Sequence, residues 1–304
     1  MINKGLGGDL AWLNGRPLYA SISGGKDSAA LGLWLQDQGI KFTPVFLDTG
    51  WEHPATYEYI KDVLTPQFGK FLVLRNDRYF DESEEPEWMG GMEQTIKYNK
   101  MFPSGVAKFC TRTLKVEPIR NFYAEKYAKG RKKPINIVGI RGEESKARSE
   151  MCMVEEQDEA TVWRPLLHWL EDEVIALHKK HNLPPNPLYL KGASRVGCFP
   201  CIYARKHEIR HLSYVYPERI DRIRELECKV NSMRRDDQKP ATFFKTRSRG
   251  GPTMFIDDIV AWSRDKRGLY LDDVEEIEEG GCMRWGMCEP VGKQIEFDFT
   301  QDND

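Results

Sequence analysis

The stretch Ser23-Gly24-Gly25-Lys26-Asp27-Ser28 constrains this chain more than any other. It follows Pro17 to Ser23 (PLYASIS), a run of apolar and small residues that reads as a buried strand. It leads into Ser28 to Leu35 (SAALGLWL), whose apolar spacing is that of a helix. A strand, a tight turn and a helix in that order leave the first backbone N–H groups of the helix without intrahelical partners, at its positive dipole end. Two glycines let an anion approach that backbone closely. Lys26 adds a cation, and Ser23 and Ser28 add hydroxyl donors. The spacing is not the Walker A pattern, which places more residues between its glycines. A Gly-Gly pair alone is equally well explained as an ordinary turn. The six residues in this setting predict a phosphate-binding loop.

The rest of the first half repeats the alternation. Lys41 to Leu47, Phe71 to Leu74 and Ile135 to Ile140 read as strands, and Ala55 to Leu64 as a helix. This predicts an α/β class, a Rossmann-like doubly wound parallel sheet whose ligands sit at the carboxyl ends of the strands. Asp77 to Lys108, rich in aromatic, Met and acidic residues, reads as a lid or insertion. Residues 1–195 are assigned to a nucleotide-binding domain, and 196–304 to a mostly helical, cysteine-containing extension. In that extension, Arg205 to Val230 reads as helical with a break at Pro217, Asp236 to Pro252 as a loop, and Asp257 to Lys266 as a further helix.

Lys and Arg number 45 against 47 Asp and Glu, so the net charge of -2 exerts no global attraction for nucleic acid. Two local basic clusters stand out: Arg205, Lys206, His207, Arg210 and His211, and then Lys245, Arg247 and Arg249. They read as solvated faces or as a track for a nucleic-acid backbone. His207 and His211 share a helical face, a weak metal pattern. Tyr189 and Trp163 read as packing residues. No apolar run is long enough to span a bilayer and the first residues lack a secretory pattern, so a soluble, cytoplasmic chain with no membrane partner is expected.

Seven cysteines in such a chain point to metal ligands and plain packing residues rather than to disulfides. Cys198 and Cys201 form a C-x-x-C that supplies two thiolates to one metal. Cys282 and Cys288 lie near the end of the chain, and Cys110 precedes a predicted helix. Four-Cys iron–sulfur and four-Cys zinc sites both fit, the zinc reading using Cys198, Cys201, Cys282 and Cys288. Cys152 and Cys228 read as buried small residues.

SGGKDS resembles the PP-loop of the phosphoadenosine phosphosulfate (PAPS) reductase and N-type ATP pyrophosphatase superfamily. Four further motifs follow in the same order. These are Asp48-Thr49-Gly50 with Glu52 and Thr56, Phe109 to Arg112 with Lys115-Val116-Glu117-Pro118, Gly139 to Ser145 with Arg148, and Trp163 to Leu166 with Trp169. The resemblance covers roughly residues 15–205. It implies an adenine nucleotide, ATP or a PAPS/APS-like molecule, with Mg on its phosphates. Ser23, Gly24, Gly25, Lys26, Asp27 and Ser28 would hold the phosphates, and Asp48, Gly139, Arg141 and Arg148 would complete the site. Lys26, Asp27 and Arg141 are the implied catalytic residues. The intact loop is similar to those of ATP-using members, such as the nucleotide-binding subunit of ATP sulfurylase. The Glu-Cys-Gly-x-His signature of the sulfonucleotide reductases is missing. ATP cleavage at the α-phosphate in sulfur metabolism or nucleic-acid modification is the activity implied, with a sulfonucleotide reductase as the alternative. Another alternative is a nucleic-acid-binding component acting with a partner subunit in a modification complex. Assimilatory APS reductases carry a [4Fe-4S] cluster on a Cys-Cys pair and a later C-x-x-C. Here Cys110 falls on the first of the pair and Thr111 replaces the second. A fourth ligand would then be Cys288 or Cys282, a layout similar to that of the DNA phosphorothioation protein DndC.

Overall fold

Strand β1 (Leu18–Ser21) lies inside the sheet, and its Ala20 is completely buried. Helix α1 (Lys26–Asp37) carries the chain to β2 (Thr43–Leu47), which pairs parallel with β1 on one side. The chain then passes through α2 (Pro54–Tyr59), a π-type turn Ile60–Leu64 and α3 (Thr65–Phe68) to β3 (Leu72–Leu74), again parallel. Next come α4 (Gly91–Asn99), α5 (Phe109–Thr111), a second π-type turn Arg112–Val116 and α6 (Glu117–Tyr127). Strand β4 (Ile135–Val138) then enters on the opposite side of β1, with Ala20 opposite Ile137. The structure, a computed structural model, describes residues 10–80, 90–127, 132–244 and 253–265, together with Trp285.

After β4 come α7 (Lys146–Ser149), β5 (Val154–Glu156) and β6 (Thr161–Trp163). The described sheet has the order β3-β2-β1-β4-β6-β5, parallel except where β5 runs against β6. This is the expected α/β, Rossmann-like doubly wound fold. The direction of winding reverses between β1 and β4, so the loops leaving these two strands flank a crevice at the carboxyl edge. Open α/β sheets bind their ligands at such switch points.

Two apolar cores support this edge. One packs α1, with Leu31, Leu33 and Trp34, and α8 (Glu171–Lys180) against the sheet around Trp163 and Trp169. The other joins Trp51, Met92, Ile96 and Phe102 to residues from α9 (Pro187–Leu190), α10 (Lys206–Val215), α11 (Pro217–Ser232) and α12 (Ile256–Arg264). Pro217 separates α10 from α11, as expected, since proline suits the first turn of a helix but not its interior. Arg222 makes a two-pronged ion pair with the buried Glu93, Nε to Oε1 and Nη2 to Oε2, both 2.6 Å, which ties α11 to α4.

Three expectations are corrected. The described part of Asp77 to Lys108 is not a lid. Met92 donates its N–H to the Thr49 carbonyl at 2.8 Å, and Met92 and Ile96 are core residues of the second cluster. The acidic and aromatic composition hid an amphipathic helix. Cys228 is exposed, because α11 buries Ile220, Ile223, Leu226 and Val230 on the face that Cys228 does not share. Cys152 is likewise exposed. Trp163 and Tyr189 are buried, as expected of packing residues.

His53 caps α2 by accepting the Ala55 N–H at Nδ1, 3.1 Å, between the rings of Phe199 and Tyr216. Burial first, then the charges of Arg219 and Lys191, lower its pKa from 6.5 to about 4. The unfolded chain therefore binds the extra proton between these two values. Stability from this residue is complete above pH 6.5 and is lost as pH falls towards 4. His53→Asn, which keeps a capping acceptor, should flatten that part of the stability–pH curve in urea titrations. An unchanged slope would contradict the assignment.

Candidate active site

The loop after β1 closes on itself before it meets any ligand. Ser23 donates its N–H to Ser28 Oγ at 3.1 Å, and Ser28 Oγ–H donates to the Gly25 carbonyl at 2.9 Å. The two hydroxyl oxygens stand 3.3 Å apart. Gly24 has φ +79°, and a Cβ there would lie 2.8 Å from Thr56 Cγ2. Asn186 holds the turn from α9, donating to the Gly24 carbonyl at 3.2 Å and to Thr56 Oγ1 at 3.3 Å. Helix α1 thus begins at the crevice with its first-turn N–H groups and positive dipole end directed there.

The loop after β4 closes the other side. Gly139 packs so tightly that a Cβ would stand 2.8 Å from the Asp27 carbonyl. Buried Arg141 donates Nε–H to Asp27 and Nη1–H to Glu143, and Arg148 pairs with Glu144. The guanidinium of Arg141 is thus linked to the phosphate loop by an ion pair, while Arg148 lies farther out on α7. At the end of β2, Asp48 accepts the Gly50 N–H at 2.9 Å and the Tyr57 hydroxyl at 2.7 Å. Burial first, then the charge of Glu52, push the Asp48 pKa up against these bonds.

Lys26 is buried and paired with Glu171, whose own N–H donates to the Glu143 carboxylate that pairs with Arg141. Lys26 Nζ lies 2.9 Å from Glu171 Oε1, 3.4 Å from the Ser194 carbonyl and 5.0 Å above the Tyr189 ring. Burial works against its charge, but Tyr189, Asp27 and Glu171 outweigh it and its pKa is raised. Its N–H donates to the Tyr189 hydroxyl at 3.1 Å. Its carbonyl lies 2.9 Å from His178 Nε2. Trp285 packs edge-on against His178 and tilted against Tyr189.

A thiol group lies nearby, on the side of the Asp48 loop. Cys198 bridges the backbone of Glu52, and its Sγ is 3.9 Å from Thr49 Oγ1. Lys115, Cys110, Cys198 and Cys201 all interact electrostatically with one another. The Cys198 thiol is pushed up to about 11, by burial first, while Lys115 opposes the shift. The Lys115 ammonium is held well above its usual range, chiefly by Cys198 and then, against burial, by Glu52 and the other thiols. Buried Glu52 accepts Thr49 Oγ1–H at 2.7 Å and the Thr49 and Trp51 N–H groups. Among the described residues no group of three or more His, Cys, Asp or Glu side chains is gathered closely enough to hold a metal ion. Cys282 and Cys288 lie outside the described residues.

Of the second basic cluster, Lys245, Arg247 and Arg249 also lie outside them. In the first cluster, Lys206 Nζ and Arg210 Nε donate to the carbonyls of Asp265 and Ser263, at and just past the end of α12. Among the described residues no helix is long and apolar enough to cross a membrane. Sequence reasoning gave no site role to Glu171, His178, Asn186 or Ser194. The only local signal was the acidic first turn of α8.

The profile of the family described as phosphoadenosine phosphosulfate reductase domain matches residues 17–204. An uncharacterized 37.8 kDa protein in the gpa 5' region of Escherichia phage 186 is 33% identical over 91% of this chain and 90% of its own length. A phosphoadenosine 5'-phosphosulfate reductase of Aliivibrio fischeri is 30% identical over 61% of this chain and 67% of its own. The crystal structure of a PAPS reductase from Candida auris, a phosphate complex, matches with a TM-score of 0.46 at 19% identity. It covers 63% of this chain and 85% of that one.

The thiol arrangement yields a test. In metal-free full-length protein, alkylation of Cys198 by iodoacetamide should rise about tenfold per pH unit below its pKa, following the thiolate fraction. Lys115→Met removes the ammonium that opposes burial, so alkylation at pH about 9 should slow severalfold. An equal or faster rate, read by mass spectrometry, would contradict this electrostatic account.

Proposed function

The chain belongs to the phosphoadenosine phosphosulfate reductase domain family, and on that premise we propose that it binds ATP or a related adenine nucleotide and cleaves it at the α-phosphate. The observation that carries this reading is the start of α1. A self-braced loop with two glycines and two serine hydroxyls opens a 12-residue helix at the switch point of the sheet. Backbone N–H groups and a helix dipole at such a place favour the phosphates of a nucleotide. The adenosine would lie towards Asp48 at the end of β2. Arg141, fixed by Asp27, would present its remaining N–H donors to the phosphates.

In the reaction, an acceptor oxygen attacks the α-phosphorus, and where that oxygen is a hydroxyl its proton passes to solvent. The bond from the α-phosphorus to the bridging oxygen breaks, and pyrophosphate leaves with the electron pair. Catalysis then rests on holding the phosphates in line and neutralising the charge of the leaving group. Mg would be carried by the phosphates, as is usual for this cation. A sulfonucleotide reductase is the second reading. It is favoured by the 30% identity to a reductase and opposed by the missing Glu-Cys-Gly-x-His.

In donor type Cys110, Cys198 and Cys201 match an iron–sulfur cluster, although among the described residues they are not drawn together into a group that could hold a metal. They would hold a [4Fe-4S] cluster, with Cys282 or Cys288 as the fourth candidate and zinc as the alternative metal. Bound there, the cluster would supply electron or sulfur chemistry beside the nucleotide. The acceptor would be sulfate, a nucleic acid or a small molecule, and nucleic acid or a partner subunit would be the macromolecular partner.

Full-length protein should release pyrophosphate from ATP in the presence of the acceptor. Gly24→Ala, which forces a side chain into positive φ against Thr56, should weaken ATP binding at least about tenfold by calorimetry, with little change in the far-ultraviolet spectrum. Unchanged affinity in this variant would sink the proposal.

A further inference from the structure

We infer that Lys26 is a positioning residue that latches the segment leading to Cys198 onto the phosphate loop, and that it is not itself a phosphate ligand. The inference rests on the reading of Ser23–Ser28 as the phosphate site. An ammonium has three N–H donors and no acceptor. In Lys26 these face a carboxylate, a carbonyl and an aromatic ring: Glu171 at 2.9 Å, Ser194 at 3.4 Å and the face of Tyr189 at 5.0 Å. The residue is only 7% exposed, and unlike the five-donor guanidinium of Arg141 its single nitrogen is already committed to these three partners.

The backbone at this point is clamped as firmly as the side chain. The Lys26 N–H meets the Tyr189 hydroxyl, and its carbonyl meets His178. Gly25 has no side chain because the Val196 carbonyl occupies that space: a Cβ would stand 3.0 Å from it. Residues 194 to 196 therefore cover one flank of the loop. Two residues farther on, Cys198 bridges Glu52, and Phe199 donates its N–H to the Trp51 carbonyl at 2.9 Å. The Tyr189 ring that receives Lys26 is itself backed by Trp285 and Ile175. The first turn of α1 and the cysteine segment are thus joined through Lys26, Tyr189 and Ser194. A nucleotide that shifts this turn also shifts the position of Cys198. Phosphate binding falls to the loop N–H groups, Ser23, Ser28 and Arg141.

The test is hydrogen–deuterium exchange of the full-length chain, with and without ATP, in wild type, Lys26→Met and Glu171→Gln. The latch predicts that both variants raise exchange in the peptide spanning residues 192–198 by about tenfold or more, while peptides from β1 and β4 keep wild-type rates. It also predicts that Glu171→Gln and Lys26→Met bind ATP within about threefold of each other. Wild-type exchange across residues 192–198 in both variants overturns the inference. So does a loss of ATP affinity of about tenfold or more in Lys26→Met that Glu171→Gln does not share, since that identifies a phosphate ligand. If Lys26→Met raises exchange everywhere, Glu171→Gln decides alone. If the wild type binds no ATP, the proposed function fails, while the exchange comparison without ATP still decides the latch.

Discussion

The absence of a side chain at Gly139 lets the end of β4 pass against the first turn of α1, where a Cβ would lie 2.8 Å from the Asp27 carbonyl. This contact joins the two loops that flank the switch point of the sheet. It brings Arg141 within reach of Asp27 and holds the start of α1 at the carboxyl edge. The parallel pairing of β1 with both β2 and β4 supplies the rigid floor, and the buried α1 face around Trp34 supplies the anchor. A site built on rigid elements can hold phosphates in one geometry, and positioning is most of what phosphate-transfer chemistry requires of a protein.

The second core gives the thiols a defined place relative to that edge. Trp51 follows the Asp48 loop and packs with Phe199 and Phe243 in one cluster, and Trp51 Nε1 donates to the Pro200 carbonyl at 2.9 Å. The carboxyl edge of the sheet and the C-x-x-C are therefore packed against one core cluster. Glu52 and Lys115 both act electrostatically on Cys198. The carboxylate is braced by the Thr49 and Trp51 backbone, and the ammonium faces the thiols. A buried carboxylate such as that of Glu52 is costly unless its hydrogen-bond partners remain in place.

The phosphate loop and the parallel sheet were legible because their signals are local: two glycines between a buried strand and a helix, and strands separated by helical periods. Strands β5 and β6 were not. Each is three residues long, and β6 is buried throughout, so neither shows the alternation that marks a strand. Helix α4 was misread because its stretch is polar overall, and its buried face emerges only when Met92 and Ile96 meet α11 and Phe102. The partners of Lys26 were beyond reach for a different reason. Glu171, Tyr189 and Ser194 lie far along the chain, and nothing local to any of them marks it as a neighbour of the loop. Burial of Cys228 was expected from its place on an apolar helix, yet one step of helical phase put it on the solvent face.

The central claim is that a nucleotide occupies the crevice between the loops after β1 and β4. A crystal structure of the full-length chain grown with a non-hydrolysable ATP analogue tests it most directly. Phosphate oxygens are expected within hydrogen-bonding distance of the N–H groups of Gly25, Asp27 and Ser28 and of Ser23 or Ser28 Oγ, with the Lys26 N–H still on Tyr189 and Lys26 Nζ still paired to Glu171. Density for the analogue elsewhere on the protein, with this loop empty at saturating ligand, would contradict it.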